Sequence, residues 1–158
     1  MEELVKTIIE KLSKKGETIA TMESCTGGFL ASTITDQNGA SDIFHLGLVT
    51  YQTQMKEKFG VSKKVIEEYT VYSKETAEEM AKTVSNIAES NYGIGITGQI
   101  GRTDPNEPGN QNEVFYSIFN KKQNMCYTYK VILKENYSRS EKKKIIVEEI
   151  LKNLLQLF

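Results

Sequence analysis

The feature that most constrains this chain is its alternation of β-type runs with helix-period runs. Two strands joined through a helix need a crossover connection, so they pair in parallel. Thr18 to Met22 reads as a strand and Thr26 to Thr35 as the helix after it. Ile43 to Gln52 is rich in β-branched and apolar residues and reads as a strand buried on both faces. Helical segments follow at Thr53 to Phe59 and Lys63 to Tyr69, with Gly60 as a stop between them. Ser73-Lys-Glu-Thr76 starts a longer helix, on which Ala77, Met80, Ala81, Val84, Ile87 and Ala88 recur at helical spacing to about Ser90.

Tyr92 to Thr97 is the next strand, ending at Gly98. Glu113 to Asn120 and Met125 to Leu133 flank Lys-Lys-Gln-Asn as an antiparallel hairpin. Amphipathic helices lie toward both ends. Residues 2 to 15 carry Leu4, Val5, Ile8, Ile9 and Leu12 on one face and stop near Gly16, and a terminal helix from Ser138 carries Ile145, Ile146, Ile150, Leu151, Leu154 and Leu155. The order α, β, α, β, α, α, β, β, β, α implies a three-layer α/β/α sandwich. Its sheet is expected to be mixed and largely parallel with a C-terminal antiparallel hairpin, in a single domain over residues 1 to 158.

Composition removes several function classes. A net charge of −1 supplies no general attraction for nucleic acid or an anionic membrane, and no apolar run reaches the roughly 18 residues of a membrane span. The Met-Glu-Glu start lacks the layout of a secretory signal, so a cytoplasmic location is expected. The triple lysine Lys142-Lys-Lys144 has no interleaved aromatic residues and reads as a solvated face. Cys25 and Cys126 make neither a disulfide framework nor a zinc cluster. His45 is the one histidine and sits in an apolar segment, where a packed, hydrogen-bonded ring is the expectation. No metal and no cofactor is expected; a Ser-His-Asp triad could use His45 alone, but a hydrolase built on this chain is expected to lack a histidine base.

In a sheet of this type ligands gather at the carboxyl ends of parallel strands, where the turns holding Ser24, Tyr51 and Thr97 would lie. Thr21-Met-Glu-Ser-Cys-Thr-Gly-Gly28 takes the chain from strand to helix. Ser24 on that turn would face a helix N-terminus able to favour an oxyanion or a phosphate, and the N–H groups around Thr26, Gly27 and Gly28 could serve as the cradle. The same residues also fit a plain helix cap and turn. Gly47-Leu-Val-Thr-Tyr51 delivers a phenol, and Lys56 an amine five residues later. A lysine whose pKa is lowered by burial can replace histidine as the base for a serine.

Tyr51 would relay the proton or hold the amine. Gly93-Ile-Gly-Ile-Thr-Gly98 matches neither a dinucleotide fingerprint nor a P-loop; Thr97 there either binds a substrate phosphate or satisfies its own strand end. Arg139 is a candidate clamp for two oxygens. Between Gln99 and Asn112 a run without periodicity, holding both prolines, is long for a connector and reads as a site wall or lid.

Glu23-Ser-Cys-Thr-Gly-Gly28, Val49-Thr-Tyr51 with Lys56 and Gly60-Val61, Ser73-Lys-Glu-Thr-Ala77 with Met80-Ala81, and Ile96-Thr-Gly98 occur together in this order. The set closely resembles the CinA C-terminal domain family, whose members include stand-alone nicotinamide mononucleotide deamidases. The resemblance implies Ser24 as nucleophile, Lys56 with Tyr51 as proton-handling partners, and Thr97, Gly98 and Arg139 as substrate contacts. The implied reaction converts the carboxamide of nicotinamide mononucleotide to nicotinate mononucleotide and ammonia without a metal.

A small-molecule mononucleotide is thus the expected partner, with self-association into a homo-oligomer. The pyrophosphatase domain that precedes this module in longer members, and its activity, are not expected here. Two stretches depart from the family pattern. Ile96-Thr-Gly-Gln-Ile-Gly-Arg-Thr-Asp-Pro105 stands where Ile-Thr-Gly-Ile-Ala-Gly-Pro is usual, and Thr70-Val-Tyr-Ser73 where Gly-Ala-Val-Ser is usual. Arg102, Asp104 and Glu107 add charges to that region. A catalytically silent nucleotide-binding or adaptor module is the alternative that this diverged loop keeps open.

Overall fold

The computed structural model describes residues 1–158. Helix α1 (Glu2–Lys15) stops where Gly16 takes a left-handed conformation, φ 65°, and its N–H closes onto Leu12 and Ser13 carbonyls. Strand β1 (Ile19–Glu23) leads through a five-residue loop to α2 (Phe29–Thr35). A 3-10 turn at Ala40–Asp42 precedes β2 (Phe44–Val49). Then come α3 (Thr53–Lys58), α4 (Lys63–Tyr69), α5 (Lys74–Ala88) and β3 (Tyr92–Gly98). The chain ends with β4 (Glu113–Asn120), β5 (Met125–Ile132) and α6 (Arg139–Gln156). Ser73 caps α5 by accepting from Thr76 N–H, and Ser138 with Glu141 forms a capping box on α6.

The strand order is β2-β1-β3-β4-β5. β1 pairs in parallel with β2 and β3, whereas β3–β4 and β4–β5 are antiparallel. The expected α/β/α sandwich on a mixed sheet with a C-terminal antiparallel hairpin is the architecture observed, with the four strand pairings divided equally between parallel and antiparallel rather than largely parallel. The larger apolar cluster joins α1, α2 and α6 to one sheet face through Val5, Leu12, Leu30, Ile34, Ile146 and Ile150. A smaller one holds α4 and α5 to the other through Met22, Ile66, Met80 and Val84.

Gly93 and Gly95 explain how α5 lies so close to β3. A Cβ on Gly93 would stand 2.0 Å from Ala81 O, and one on Gly95 would stand 2.2 Å from Ala77 O. The spaced glycines of β3 therefore serve helix–strand packing, not phosphate binding.

Two sequence expectations are corrected by the fold. β2 is an edge strand whose residues alternate between half-buried and exposed, so it is not buried on both faces. Its apolar, β-branched composition misled because a residue-by-residue alternation, not the apolar content of the run, distinguishes the two cases. His45 is exposed on that edge, its Nδ1 3.4 Å from Ala88 O, and is not a packed core residue. No helix is long and apolar enough to cross a membrane.

Candidate active site

Parallel pairing brings the carboxyl ends of β1, β2 and β3 to one edge, with Glu23 opposite Val49 and Met22 opposite Gly95. A cavity of about 730 Å³ opens there, lined by Ser24, Tyr51, Lys56, Gly98 and Arg139 together with the loop after β3. The convergence expected from the strand order is thus observed.

Lys56 forms the floor. Its side chain is 1% exposed, although it stands in a helix rich in charged residues. The Nζ donates to Thr50 O at 2.7 Å, to Ser24 Oγ at 3.2 Å and to Tyr51 O at 3.5 Å, one acceptor for each ammonium hydrogen. No carboxylate pairs with it. Burial therefore dominates and pushes its pKa down from 10.5 to about 8, with Cys25 and Glu107 opposing. The buried amine therefore gives up its proton closer to neutral pH than a solvated lysine does, which is what a lysine base next to a serine requires. The neighbouring Cys25 thiol is pushed up to about 12 by burial, so it is no competing nucleophile.

Ser24 is fixed from behind by a residue for which sequence reasoning assigns no role. The Glu23 side chain is fully buried, and its carboxylate accepts from Leu30 N–H at 3.1 Å and Ala31 N–H at 2.8 Å. Glu23 thus ties the first turn of α2 back to the end of β1 and closes Ser24 to Gly28 into a strap. This also corrects the expected anion site: the positive end of α2 faces its own capping carboxylate, not a ligand. The helix starts at Phe29 rather than Thr26, because Gly27 and Gly28 take left-handed conformations, φ 63° and 89°.

The cradle residues are placed differently from expectation. Gly27 N–H donates to Ser24 O at 3.0 Å, and neither Thr26, Gly27 nor Gly28 lines the cavity. Thr26 is fully buried with its hydroxyl unpartnered. Cys25 does line the cavity, and its N–H donates to no other residue. Thr97 is fully buried and its hydroxyl donates to Val71 O at 2.8 Å, which satisfies the loop before α5; Gly98 is the part of that strand end that reaches the cavity.

Tyr51 joins the site in a way its side chain does not suggest. The ring is 60% exposed and its hydroxyl accepts from Arg139 Nη2 at 2.9 Å, whereas its carbonyl accepts from Lys56 and, at 3.5 Å, from Ser24 Oγ–H. The backbone of Tyr51 handles the amine and serine; the phenol holds the arginine. Arg139 also donates to Ile100 O.

The loop between β3 and β4 forms the roof. Asp104 accepts from Tyr72 OH at 2.9 Å, Glu107 from Thr53 Oγ1–H at 3.2 Å, and Gln99 Oε1 from Asp104 N–H at 2.8 Å. At its base, Asn112 Oδ1 accepts from Gly101 N–H at 3.2 Å and from Lys142 Nζ at 2.8 Å. Lys142 is 4% exposed, so the triple lysine is not wholly a solvated face. Its position three residues after Arg139 on α6 puts both cations under the loop's two ends. A buried lysine within a lysine run has no sequence signal except its helical phase with Ile146 and Ile150.

The sequence matches the CinA C-terminal domain model over residues 1–158. A CinA-like protein of Flavobacterium psychrophilum is 31% identical over 158 residues, 99% of this chain and 36% of that protein. A CinA-like protein of Kosmotoga olearia is 40% identical over 103 residues, 65% of this chain and 25% of that protein. The chain thus spans about a quarter to a third of the length of the curated relatives it matches. Among solved structures, a CinA superfamily protein from Escherichia coli is similar at TM-score 0.89 and 28% identity, covering 99% of this chain and 90% of that one. The competence/damage inducible protein CihA from Agrobacterium tumefaciens is similar at TM-score 0.89 and 26% identity, covering 99% and 94%.

Proposed function

Because this chain belongs to the CinA C-terminal domain family, we propose that it is a serine-type amidase that converts the carboxamide of nicotinamide mononucleotide to the carboxylate and ammonia. The observation that carries the reading is the buried Lys56 amine 3.2 Å from Ser24 Oγ, with no carboxylate paired to it.

In this reaction neutral Lys56 takes the Ser24 proton as Oγ attacks the carboxamide carbon. The carbonyl π pair moves to oxygen, where the N–H of Cys25, a residue that lines the cavity and whose N–H donates to no other residue, is the candidate donor. Collapse breaks the C–N bond, the Lys56 ammonium protonates the departing nitrogen, and ammonia leaves. Water then attacks the ester while Lys56 takes its proton, and Ser24 Oγ departs, recovering a proton from Lys56. Tyr51 O and Thr50 O keep the amine aimed at Ser24 through the cycle. Arg139, held by Tyr51 OH and Ile100 O, presents its guanidinium to the substrate phosphate.

Ammonia and nicotinate mononucleotide released from nicotinamide mononucleotide are the test. Turnover by the wild type that disappears in Ser24→Ala is the expected result. Wild-type protein indistinguishable from Ser24→Ala overturns the reading and favours the silent binding module.

A further inference from the structure

The floor of the cavity accounts for attack on an amide carbon, but nothing in it distinguishes one carboxamide from another. The roof brings two carboxylates into the same cavity, Asp104 and Glu107. They are not equivalent. Asp104 is engaged on both oxygens, accepting from Tyr72 OH at 2.9 Å and Asn106 N–H at 2.9 Å. Glu107 has a single tether, from the Thr53 hydroxyl to Oε1 at 3.2 Å, and makes no ion pair with any lysine or arginine.

Thr53 is the first residue of α3, and Lys56 lies one turn further along it. The tether therefore holds a half-buried, unpaired carboxylate over the helix that supplies the base. Glu107 offsets part of the lowering that burial imposes on Lys56. Glu107 lines the same cavity as Ser24 and Lys56, so the carboxylate and the reacting groups share one ligand space.

We propose that Glu107 is a specificity-determining residue that receives the positive ring of an N-substituted pyridinium carboxamide, so that the cavity selects cationic ring amides over neutral ones of the same shape. This deepens the amidase reading and rests on it. A carboxylate in a partly water-excluded cavity attracts a cation more strongly than one in bulk water. Tyr51 and Tyr72 line the same cavity, and an aromatic side chain there can add to the attraction for a cation. Arg102 and Arg139 also line it without an ion pair, leaving guanidinium groups for the phosphate of the same zwitterionic ligand. Glu107 lies in the loop that departs from the family pattern, so the selection belongs to this chain's own residues.

The experiment compares nicotinamide mononucleotide with its reduced form, which keeps carboxamide, ribose and phosphate but has a neutral dihydropyridine ring. Calorimetric titration into Ser24→Ala protein reads binding without turnover. The cationic form is expected to bind about tenfold more tightly, with the preference falling to about twofold when Glu107→Gln is added and partly restored by Glu107→Asp. Equal affinity for the two forms, binding of neither, or an unchanged preference in the Gln variant overturns the proposal. If the Gln variant does not fold, Thr53→Val cuts the tether instead, and an unchanged preference there overturns it equally. The affinity ratio is read on protein without its nucleophile, so an absence of ammonia release in the wild type, which would sink the amidase reading, leaves it unmoved.

Discussion

The floor and the roof of the cavity are built by different means. The floor consists of Ser24, Lys56 and the carbonyls of Thr50 and Tyr51. It is buried, it follows directly from three parallel strand ends, and its hydrogen bonds run largely to backbone. The roof between Gln99 and Asn112 is largely exposed and is held by side-chain pins: Tyr72 to Asp104, Thr53 to Glu107, Lys142 to Asn112. Rigid floor and pinned roof suit different tasks. Chemistry needs its reacting groups held to a fraction of an ångström, whereas substrate choice can be altered by changing a few loop side chains. Substitutions in the floor should therefore remove turnover, and those in the roof should change affinity.

The largest effect is expected at Lys56. Lys56→Met should lower kcat by about a thousandfold or more with KM little changed, since a base acts in the transition state. A loss confined to KM would refute the role. In the wild type kcat should rise with pH through the Lys56 pKa of about 8.

Stability supplies a second readout. A lysine lowered from 10.5 to about 8 is charged in the unfolded chain and neutral in the fold between those values, so the unfolded state binds more protons there. Wild-type stability should then gain from this site as pH rises from about 8 to 10.5, and the penalty of burying the charge is fully present below that window. Lys56→Met should lack this rise in denaturant titrations. Parallel pH profiles for the two proteins would refute the burial penalty.

Next in size is Glu23. Removing its carboxylate leaves the buried N–H of Leu30 and the partly buried N–H of Ala31 without this acceptor, at about 1–3 kcal/mol for the buried group and less for the other. Glu23→Ala should lower the urea midpoint and also depress kcat, because the strap carrying Ser24 loses its tie to α2. Full stability with full activity would show that the strap is set by Gly27 and Gly28 alone. Lys142→Ala should be milder for catalysis. It frees Asn112 beneath the roof, so KM should rise more than kcat falls, and amide hydrogen exchange at Gly101 should accelerate. Unchanged exchange at Gly101 would mean the backbone pairing of Gln99 with Gln111 suffices to hold the loop base.

The same contrast explains what could be read in the sequence. Helical periodicity gave α1, α4 and α5 close to their observed limits, and crossovers between strands placed the turns holding Ser24, Tyr51 and Thr97 at one edge; Lys56 joined them through its spacing from Tyr51 and the family resemblance. What escaped depends on three-dimensional neighbours. Glu23 and Lys142 are charged residues whose burial is decided by partners across the fold, and local pattern assigns such residues to the surface. Tyr51 acts on the amine through its carbonyl, which every residue possesses, so its identity could not announce that role. Thr97 could be read either as a phosphate contact or as the satisfied end of its strand, and the family resemblance implied the first; its hydroxyl instead answers the Val71 carbonyl of the segment before α5. The spacing of the β3 glycines fitted no phosphate-binding motif, but only the close passage of α5 across Gly93 and Gly95 shows what they are for.

The smallest effect is expected at Tyr72, where the roof is pinned by one hydroxyl. Tyr72→Phe keeps the ring in place and deletes the donor to Asp104, which still accepts from Asn106 N–H. One hydrogen bond on a partly exposed loop contributes little, so KM for the mononucleotide should rise only about threefold while kcat stays the same. Tyr72 is held above its ordinary pKa, first by burial and then by the Asp104 carboxylate, so its hydroxyl remains a donor across the pH range in which Lys56 titrates. The wild-type to Phe ratio in KM should accordingly be flat across that range, in contrast to the Lys56 profile. A ratio that follows the Lys56 titration would mean that the roof and the floor are coupled, and that the division between affinity and chemistry fails at this pin.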